Sequence, residues 1–419
     1  MNNKKIRVLW FSGGAIADNV SKGTGSWVFA MRSLVSKEVE LYNITRAWDN
    51  KDIVYKEVDD MKEYILPNYK LKNGLPSEVN IQKIKQIVDN IQPDIIHIWG
   101  IEMYWALLFT RGYLKGNVLL EVQGLLRTCH NVFYGGLTPE EVKRCYSIKE
   151  FLKPAYTLQN LYKNYLNRSK YASEILNGFK KISTQSEWTR DQINMLVSSP
   201  KDFFYTRRPI RDEFYKSEKW MPKNNKEKII FSSASYFEPF KGVHFLIKAF
   251  SLYAKKVPGA TLVLAGVDIK LQFYRINGYT KFLFSLINEY GIKDRVLFPG
   301  KLSAKQLTEW LLKSDIYVNP SLVESYSAAS AEALYLGVPT IMSYAGAMPE
   351  FSRNKKVALY YPQMDFVSLA SRIDSLISDK ELSLELSSNA ISEMSTKCGS
   401  ELVKKTQLEI YRSLYDEFN

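Results

Sequence analysis

The stretch Asn319-Pro-Ser-Leu-Val-Glu-Ser-Tyr-Ser-Ala-Ala-Ser-Ala-Glu-Ala-Leu-Tyr-Leu-Gly-Val-Pro339 decides the fold of this chain. It follows the apolar run 315–318, which predicts a short buried strand, and it leads into good helix formers over 328–336. Gly337 and Pro339 are expected to end that helix. A strand, a polar turn and a helix in this order point free backbone N–H groups at an anion, so the stretch predicts a phosphate site.

Two carboxylates belong to this stretch, Glu324 in the turn and Glu332 inside the helix. With a helix that starts near Tyr326, Glu332 lies about 9 Å along the axis from its start. That distance is roughly the span from a diphosphate to a ribose, and a carboxylate there can accept both ribose hydroxyl protons. Two glutamates eight residues apart also occur by chance on solvated helices, so the surrounding motif has to carry the interpretation.

In this context the chain resembles the nucleotide-sugar-dependent retaining glycosyltransferases of family 4, whose signature is Glu-x7-Glu. The sequel Gly337-Val-Pro339, Ser343-Tyr-Ala-Gly346 and Pro349-Glu350 is similar to the same family, which often has Gly where this chain has Ser327. The resemblance implies that Glu324 positions the sugar or the phosphate. It also implies that the leaving diphosphate is stabilised by backbone N–H groups of Ser325, Tyr326, Ser327 and Ala328.

A second motif, Lys241-Gly242, follows the predicted strand 229–233 and precedes the predicted helix 243–253. It resembles the Lys-Gly loop of the family, which implies that Lys241 neutralises the donor diphosphate. An ammonium on a flexible stem suits a charge that grows on the leaving phosphate; the alternative is a solvated lysine at a helix start. Family members often carry Arg five residues earlier, where this chain has Tyr236, and the linker residue Arg211 is a candidate substitute.

Further donor contacts follow from the resemblance. Related enzymes hold the base largely through backbone groups at the positions of Gly300, Lys301 and Leu302, so a UDP-sugar and a GDP-sugar both remain open. Gln123, at the end of the predicted strand 118–122, stands where many members place a histidine aimed at the donor sugar; the alternative is a strand cap. Gly14, in the first strand-to-helix loop, would face the acceptor and the donor phosphates, although that loop could also be merely mobile.

The overall composition predicts a globular protein of two domains, with 419 residues, 46% of them hydrophobic and 24% charged. No apolar run approaches 18 residues and the start resembles no secretory signal, so we expect no membrane span and a cytoplasmic location. Three scattered cysteines are expected to be reduced thiols. Only three histidines and no Asp-x-Asp triplet are present, which favours a metal-independent mechanism.

The formal charge of +13 predicts an anionic partner: nucleic acid, an anionic membrane surface or a phosphorylated substrate. No nucleic-acid motif accompanies it, so we expect no nucleic-acid partner. The span 141–181 holds nine basic and three acidic residues, with aromatic and leucine side chains at helical spacing. Such a segment lies on an anionic membrane or packs an apolar stripe on a core, and the sequence leaves both open.

Predicted strands and helices alternate along the chain, which indicates parallel sheets covered by helices. His97, between isoleucines of one strand, is expected to be a buried, hydrogen-bonded histidine. The resemblance implies an α/β protein with the GT-B fold, two Rossmann-like domains facing each other across a cleft. We expect an acceptor-binding domain at 1–215 with the basic aromatic segment at 127–181, a nucleotide-sugar-binding domain at 216–385, and a helical tail at 386–419 that crosses back.

The resemblance implies transfer of a hexosyl unit from a nucleoside diphosphate sugar to an acceptor hydroxyl with retained configuration, without a further cofactor. Lys241 and Glu324 would be the catalytic residues. The basic segment fits a glycan or lipid-linked glycan acceptor in polysaccharide or glycolipid biosynthesis, at the inner membrane face. A GT-B nucleotide-sugar epimerase and a catalytically silent nucleotide-sugar-binding protein are the alternatives.

Overall fold

A computed structural model describes residues 5–16, 26–224, 227–233, 238–266 and 276–418. Tyr236, considered above, lies outside the described residues. In the described part of the chain the strands are β1 (Arg7–Phe11), β2 (Glu40–Ala47), β3 (Val54–Val58), β4 (Met61–Pro67), β5 (Ile95–Trp99), β6 (Val118–Glu121), β7 (Lys181–Thr184), β8 (Asp202–Tyr205), β9 (Lys228–Ser232), β10 (Ala260–Leu264), β11 (Val296–Leu297), β12 (Ile316–Asn319), β13 (Thr340–Ser343) and β14 (Leu359–Tyr361).

Helices connect most of these strands. The α-helices are α1 (Ser26–Val35), α2 (Glu78–Ile91), α3 (Trp105–Thr110), α4 (Leu126–Asn131), α5 (Pro139–Arg144), α6 (Ile148–Leu152), α7 (Leu158–Ser169), α8 (Ala172–Gly178), α9 (Glu187–Asn194), α10 (Asp212–Tyr215), α11 (Val243–Lys256), α12 (Gly278–Glu289), α13 (Ala304–Lys313), α14 (Ala328–Leu336), α15 (Phe366–Ser378), α16 (Lys380–Cys398) and α17 (Ser400–Asp416). Short 3-10 helices include Pro154–Tyr156, Pro239–Lys241 and Met348–Ser352. Of the helices that the structure describes, none combines the length and the apolar character needed to cross a bilayer.

The chain divides into two compact units, and both are Rossmann-like, as predicted. The first unit comprises residues 1–125, 168–209 and 397–419. Its eight-stranded sheet has the order β3-β4-β2-β1-β5-β6-β7-β8, and its pairs are parallel except for the antiparallel pair β3–β4. A parallel sheet needs helical cover on both faces, because its strands are apolar on both sides.

Alternate residues of β1 show how the first sheet meets that need. Leu9 and Phe11 join one core cluster, which α2, α3, α8 and α9 complete. Val8 and Trp10 point to the other face and join a cluster that contains residues of α1 and α17. The strand therefore contributes to two hydrophobic cores, as the period of two in a strand requires.

The second unit comprises residues 126–167 and 210–396. Its six strands have the order β11-β10-β9-β12-β13-β14 and pair in parallel. A capping box between Ser303 and Gln306 forms at the start of α13. The carboxyl ends of all six strands meet at one edge of the sheet, which is where such folds bind ligands.

The structure corrects the expected assignment of the segment 127–181, because residues 126–167 belong to the second unit. Two contacts explain the difference. Lys248 Nζ on α11 donates to Glu141 Oε1 at 2.9 Å, and the backbone N–H of Gly278 on α12 donates to Glu150 Oε1 at 2.8 Å. These partners lie more than 100 residues away in sequence, so local composition could not reveal them.

The expected tail at 386–419 is divided between the units. Residues 397–419 are part of the first unit, where α17 packs on α1 and β5, whereas the earlier part of α16 belongs to the second. Within the first unit the hydroxyl of Tyr411 accepts from Trp10 Nε1 at 2.8 Å and lies 2.9 Å from His97 Nδ1. His97 is fully buried, as predicted, and burial lowers its pKa to about 3, so the imidazole is neutral.

We predict that Tyr411→Phe lowers the free energy of unfolding by about 1–3 kcal/mol, because the buried indole N–H of Trp10 loses its acceptor. Chemical denaturation monitored by tryptophan fluorescence measures the change. Tyr290→Phe, at an exposed tyrosine of the second unit, is the matched control and should leave stability within about 0.5 kcal/mol. Equal stability of the two variants would show that the Tyr411 hydroxyl contributes nothing.

Candidate functional site

The turn between β12 and α14 is built around Asn319, the last residue of β12. Its amide Nδ2 donates to Ser327 Oγ and to Ser330 Oγ, both at 2.8 Å, and its Oδ1 accepts from the backbone N–H of Ser321 at 3.1 Å. One buried amide therefore ties the end of the strand to both sides of the turn. Because its donors and its acceptor are all used, the turn has a fixed shape before any ligand binds.

Ser327 explains where the helix begins. Its φ of +69° lies in the left-handed region, which glycine adopts without strain but serine does not. The Ser327 hydroxyl compensates by accepting from the backbone N–H of Ser330 at 3.3 Å, which makes it the N-cap. The expected helix start near Tyr326 is thus corrected to Ala328, and Glu332 lies about 6 Å along the axis instead of about 9 Å.

Two glycines allow other backbone segments to approach this turn. A Cβ on Gly242, whose φ is +71°, would overlap the carbonyl oxygen of Pro320, and one on Gly346 would overlap that of Glu324. Backbone hydrogen bonds accompany both approaches: Leu322 N donates to Phe240 O, and the N–H next to Gly346 donates to Glu324 O, each at 2.8 Å. The Lys-Gly loop and the segment after β13 therefore fix the turn from two directions.

Lys241 and Glu324 form an ion pair at this turn, with Nζ and Oε1 2.7 Å apart. The side chains are 24% and 17% exposed, so the pair is reachable by a ligand but shielded from bulk water. Burial lowers the pKa of Lys241, but the charge and hydrogen bond of Glu324 outweigh it, so the pKa lies above its ordinary value. The structure therefore brings these two predicted residues into contact with the ammonium charged.

Glu332 has a different partner. The Arg211 guanidinium donates from Nε to Oε1 at 2.7 Å and from Nη2 to Oε2 at 2.6 Å, a bidentate pair. Glu332 is only 6% exposed, and the Arg211 side chain only 19%. Arg211 was a candidate second cation for the diphosphate, and the structure places its guanidinium on the predicted ribose carboxylate instead.

The phenol of Tyr317 on β12 links the two carboxylates electrostatically. Its hydroxyl lies 3.3 Å from Ser233 Oγ at the end of β9. Burial raises the pKa of Tyr317, the hydroxyl of Ser233 lowers it, and the charges of Glu324 and Glu332 raise it further. Both glutamates therefore act on one buried phenol at the carboxyl edge of the sheet, and Tyr317 stays neutral.

Gly300, Lys301 and Leu302 follow β11 at the same edge of the second sheet. Gly300 has a φ of +80°, and its carbonyl accepts from the N–H of Gly266 at 2.6 Å, which joins the loops after β10 and β11. The order β11-β10-β9-β12 separates these loops from the β12 turn by three strand spacings, roughly 14 Å. That separation matches the length of an extended nucleoside diphosphate.

Tyr326 differs from its neighbours in the motif because its ring is buried, 8% exposed, and packs on Phe351 with centroids 5.5 Å apart. Its side chain belongs to the core of the second unit. Any contact of Tyr326 with a ligand would therefore use its backbone N–H, as expected for Ser325 to Ala328.

Gly14 and Gln123 lie in the first unit. In the described part of the chain nothing lies within 4 Å of the position that a Gly14 Cβ would take, so the glycine is not required by packing there. The Gln123 amide lies beside Gly100, and the carboxylate of Glu102 folds over the same glycine.

Glu102 is a candidate that sequence reasoning missed. Burial raises its pKa, partly offset by its own N–H and by the charges of Arg168 and Arg208. The sequence could have indicated Glu102, because this acidic residue lies three positions after the end of β5. Residues in that position fall at the ligand-binding edge of a parallel sheet.

The described residues contain no group of three or more His, Cys, Asp or Glu side chains arranged to hold a metal ion. The three cysteines are free thiols. At the β12 turn, the Lys241 ammonium and the N-terminus of α14 both carry positive charge.

Comparisons with known proteins found similarity to glycosyltransferases. The family model described as glycosyl transferases group 1 matches residues 216–393. An uncharacterized glycosyltransferase, YqgM of Bacillus subtilis, is 25% identical over 196 residues, which cover 47% of this chain and 52% of YqgM. The match thus spans about half the length of this curated relative.

Two solved structures show the fold over nearly the whole chain. Sucrose-phosphate synthase from Thermosynechococcus elongatus aligns with a TM-score of 0.74 at 16% identity, covering 99% of this chain and 100% of that protein. Anabaena HepE, crystallised with UDP and glucose, aligns with a TM-score of 0.65 at 14% identity, covering 97% of this chain and 100% of HepE. The predicted GT-B architecture is confirmed at the level of the two Rossmann-like units.

We predict that Ser327→Ala lowers the free energy of unfolding by about 1–2 kcal/mol, because alanine keeps the left-handed strain and loses the cap. Ser327→Gly should cost less, since glycine relieves the strain that the hydroxyl compensates. Urea denaturation of both variants measures the difference. An alanine variant as stable as the glycine variant would contradict the role given to the Ser327 cap.

Proposed function

We propose that this chain is a retaining glycosyltransferase, because residues 216–393 match the family model described as glycosyl transferases group 1. It transfers a hexosyl unit from a nucleoside diphosphate sugar to an acceptor hydroxyl. The observation that supports this best is the meeting of Lys241 and Glu324 at 2.7 Å in front of α14, the helix that carries Glu332. A cation, a helix N-terminus and carboxylates are the groups that a diphosphate, a sugar and a ribose require.

The chemical step uses the positive groups at the leaving diphosphate. The bond between the anomeric carbon and the diphosphate oxygen breaks, and its electron pair stays on the diphosphate. The acceptor hydroxyl oxygen bonds to the anomeric carbon on the same face, and its proton passes to the departing diphosphate oxygen. Lys241 and the backbone N–H groups of Ser325 to Ala328 stabilise the growing negative charge, which makes their contribution largest in the transition state.

Donor binding changes the pairing of Lys241. The charge of Lys241 is compensated by Glu324. An arriving diphosphate carries more negative charge than one carboxylate and would draw Lys241 towards itself. Glu324 would then be free to accept hydrogen bonds from sugar hydroxyls. The donor diphosphate would thus replace Glu324 as the counter-ion of Lys241.

The nucleoside part of the donor would extend along the edge of the second sheet. Glu332 would accept the ribose hydroxyls, and backbone groups of Gly300, Lys301 and Leu302 would hold the base. Backbone recognition suits either uracil or guanine, so the donor is a UDP- or GDP-sugar. We propose a metal-independent reaction, in which Lys241 and the start of α14 take the part that a divalent cation plays in other diphosphate sites.

The proposed acceptor is a glycan or lipid-linked glycan of polysaccharide or glycolipid biosynthesis. We also propose that Gly14 contacts the acceptor and the donor phosphates and that Gln123 contacts the donor sugar. Gly14 follows β1 and Gln123 follows β6, at the carboxyl edge of a sheet, where such folds bind ligands.

A cytoplasmic location, peripheral at the inner membrane face, would bring the protein to a lipid-linked acceptor. The basic aromatic surface, defined as Ile148, Lys149, Phe151, Leu152 and Lys153, supports this. Phe151 is 72% and Leu152 63% exposed; both lie on α6 with Lys149, and Lys153 is the C-cap residue of that helix. Apolar side chains flanked by cations complement an anionic bilayer.

Not all of the basic segment is free for that role. The ring of Phe133, buried in the second unit, contacts the rings of Tyr162, Tyr165 and Phe240. Of the two interpretations that the sequence leaves open, packing on a core therefore describes α7. The exposed apolar residues of α6 support the proposed membrane contact.

We predict that Lys241→Ala lowers kcat by about 10²–10³-fold, because one preorganised positive donor to the leaving group is lost. The measurement is release of nucleoside diphosphate from a panel of UDP- and GDP-sugars, with and without glycan acceptors. Lys256→Ala, which breaks the exposed Lys256–Asp374 pair of the same unit, is the matched control and should keep wild-type turnover.

Thermal unfolding of the variants separates loss of chemistry from loss of folding, and Lys241→Arg retains the charge. Full turnover in folded Lys241→Ala would contradict the proposed mechanism. A wild-type protein that binds nucleotide without releasing diphosphate, whatever the acceptor, would be a binding protein. Conversion of the donor sugar without diphosphate release would identify an epimerase.

We predict that the protein co-sediments with vesicles of phosphatidylglycerol and phosphatidylcholine at low salt and is released at high salt. Phe151→Ser with Leu152→Ser should weaken binding about tenfold or more, because two exposed apolar side chains no longer enter the interface. Val367→Ser, at a side chain 59% exposed on α15, is the control and should bind like wild type. Equal binding to pure phosphatidylcholine would exclude the electrostatic part of the proposal.

A further inference from the structure

The pair between Arg211 and Glu332 differs in kind from the pair between Lys241 and Glu324. The lysine makes one hydrogen bond to one carboxylate oxygen, whereas the guanidinium binds both oxygens of Glu332 through two nitrogens. A planar fork on a planar carboxylate fixes the rotation of that carboxylate, whose terminal torsion is otherwise broad. Arg211 therefore determines where the remaining lone pairs of Glu332 point.

The surroundings hold Arg211 in this position. It is the N-cap residue of α10, in extended backbone conformation, and its guanidinium lies 4.9 Å from the ring centroid of Phe214. Phe214 is fully buried and α10 packs on α13 and α14. The guanidinium is thus fixed from one side by a core aromatic ring and from the other by the carboxylate on α14.

Moving Arg211 onto a diphosphate would break both hydrogen bonds and leave a carboxylate that is 6% exposed without its counter-ion. Such a separation of a buried pair is costly. Glu332, in contrast, can keep both bonds and still accept more, since each carboxylate oxygen offers two lone pairs. Two further acceptor directions, fixed in one plane, suit the two neighbouring hydroxyls of a ribose.

We propose that Arg211 is a positioning residue that gives the donor site its selectivity for ribonucleotides by orienting Glu332. This inference rests on the proposed function, because it takes the carboxylate of Glu332 as the ribose ligand. Arg211 itself touches neither the sugar nor the phosphates. Its loss should reduce discrimination at the ribose while the diphosphate contacts at Lys241 remain.

The experiment compares the affinities of UDP and GDP with those of their 2′-deoxy counterparts by calorimetry. Of UDP and GDP, the nucleotide that wild type binds more tightly should have an affinity roughly tenfold higher than that of its 2′-deoxy form. A tenfold ratio corresponds to the free energy of one hydrogen bond to a charged group. Arg211→Gln should bring that ratio near one. Arg372→Gln, at an exposed arginine of the same unit whose Nε donates to Tyr360 O, is the matched control and should keep the wild-type ratio.

Glu332→Gln and the double variant complete the cycle. If Arg211 acts through Glu332, the double variant should show no further loss of the ratio beyond Glu332→Gln, because the two residues work as a unit. Arg211→Lys keeps the buried charge, and so the fold, but lacks the fork, and its ratio should fall below that of wild type. In steady-state assays the donor KM should rise in these variants more than kcat falls.

The outcomes separate the two ideas. The role of Arg211 would be overturned if folded Arg211→Lys or Arg211→Gln kept the wild-type affinity ratio while Glu332→Gln reduced it. The proposed function would still stand in that case. An unchanged ratio in Glu332→Gln would overturn the inference at its premise. Absence of any nucleotide binding by wild type would overturn the proposed function itself.

Discussion

Backbone-to-backbone approach at the turn after β12 is the constraint on which the site depends. Gly242 and Gly346 each stand where any side chain would meet a carbonyl oxygen of the turn, of Pro320 and of Glu324 respectively. Three loops of the sheet edge can therefore lie against each other with their main chains in contact. The same arrangement determines the position of Lys241, because the neighbouring Gly242 fixes the place from which the ammonium of Lys241 extends.

The two carboxylates of the β12–α14 motif belong to ion pairs of unequal rigidity. The pair of Lys241 and Glu324 is single and partly exposed, so a more strongly charged ligand can displace it. The pair of Arg211 and Glu332 is double and more buried, so it persists and acts as part of the scaffold. The proposed function, which holds a nucleoside and releases a diphosphate, needs both behaviours, and the two carboxylates of one motif would supply them.

Sequence reasoning succeeded where the decisive contacts are local. The stretch 319–339 contains its own strand, turn, cap and stop, so β12 and α14 could be predicted within a few residues. The helix start was misplaced by two residues because the left-handed φ of Ser327 is a property of the folded turn.

In the first unit, β2 and β4 were missed because Asn43 and Glu63 are fully buried there and hydrogen-bonded to each other, which hides the apolar pattern. The position of residues 126–167 and the partner of Arg211 depend on contacts across more than 100 residues, and no local pattern encodes them.

The hydrogen bond between Trp10 and Tyr411 joins positions 401 residues apart. A ribosome makes the strand that bears Trp10 early and the helix that bears Tyr411 only after the whole second unit. Until then one face of the first sheet lacks its cover from Val403, Ile410 and Leu414, whereas the second unit already has every strand of its own sheet. The nascent protein thus carries an unfinished apolar face through most of its synthesis, and this is the surface that a chaperone would bind.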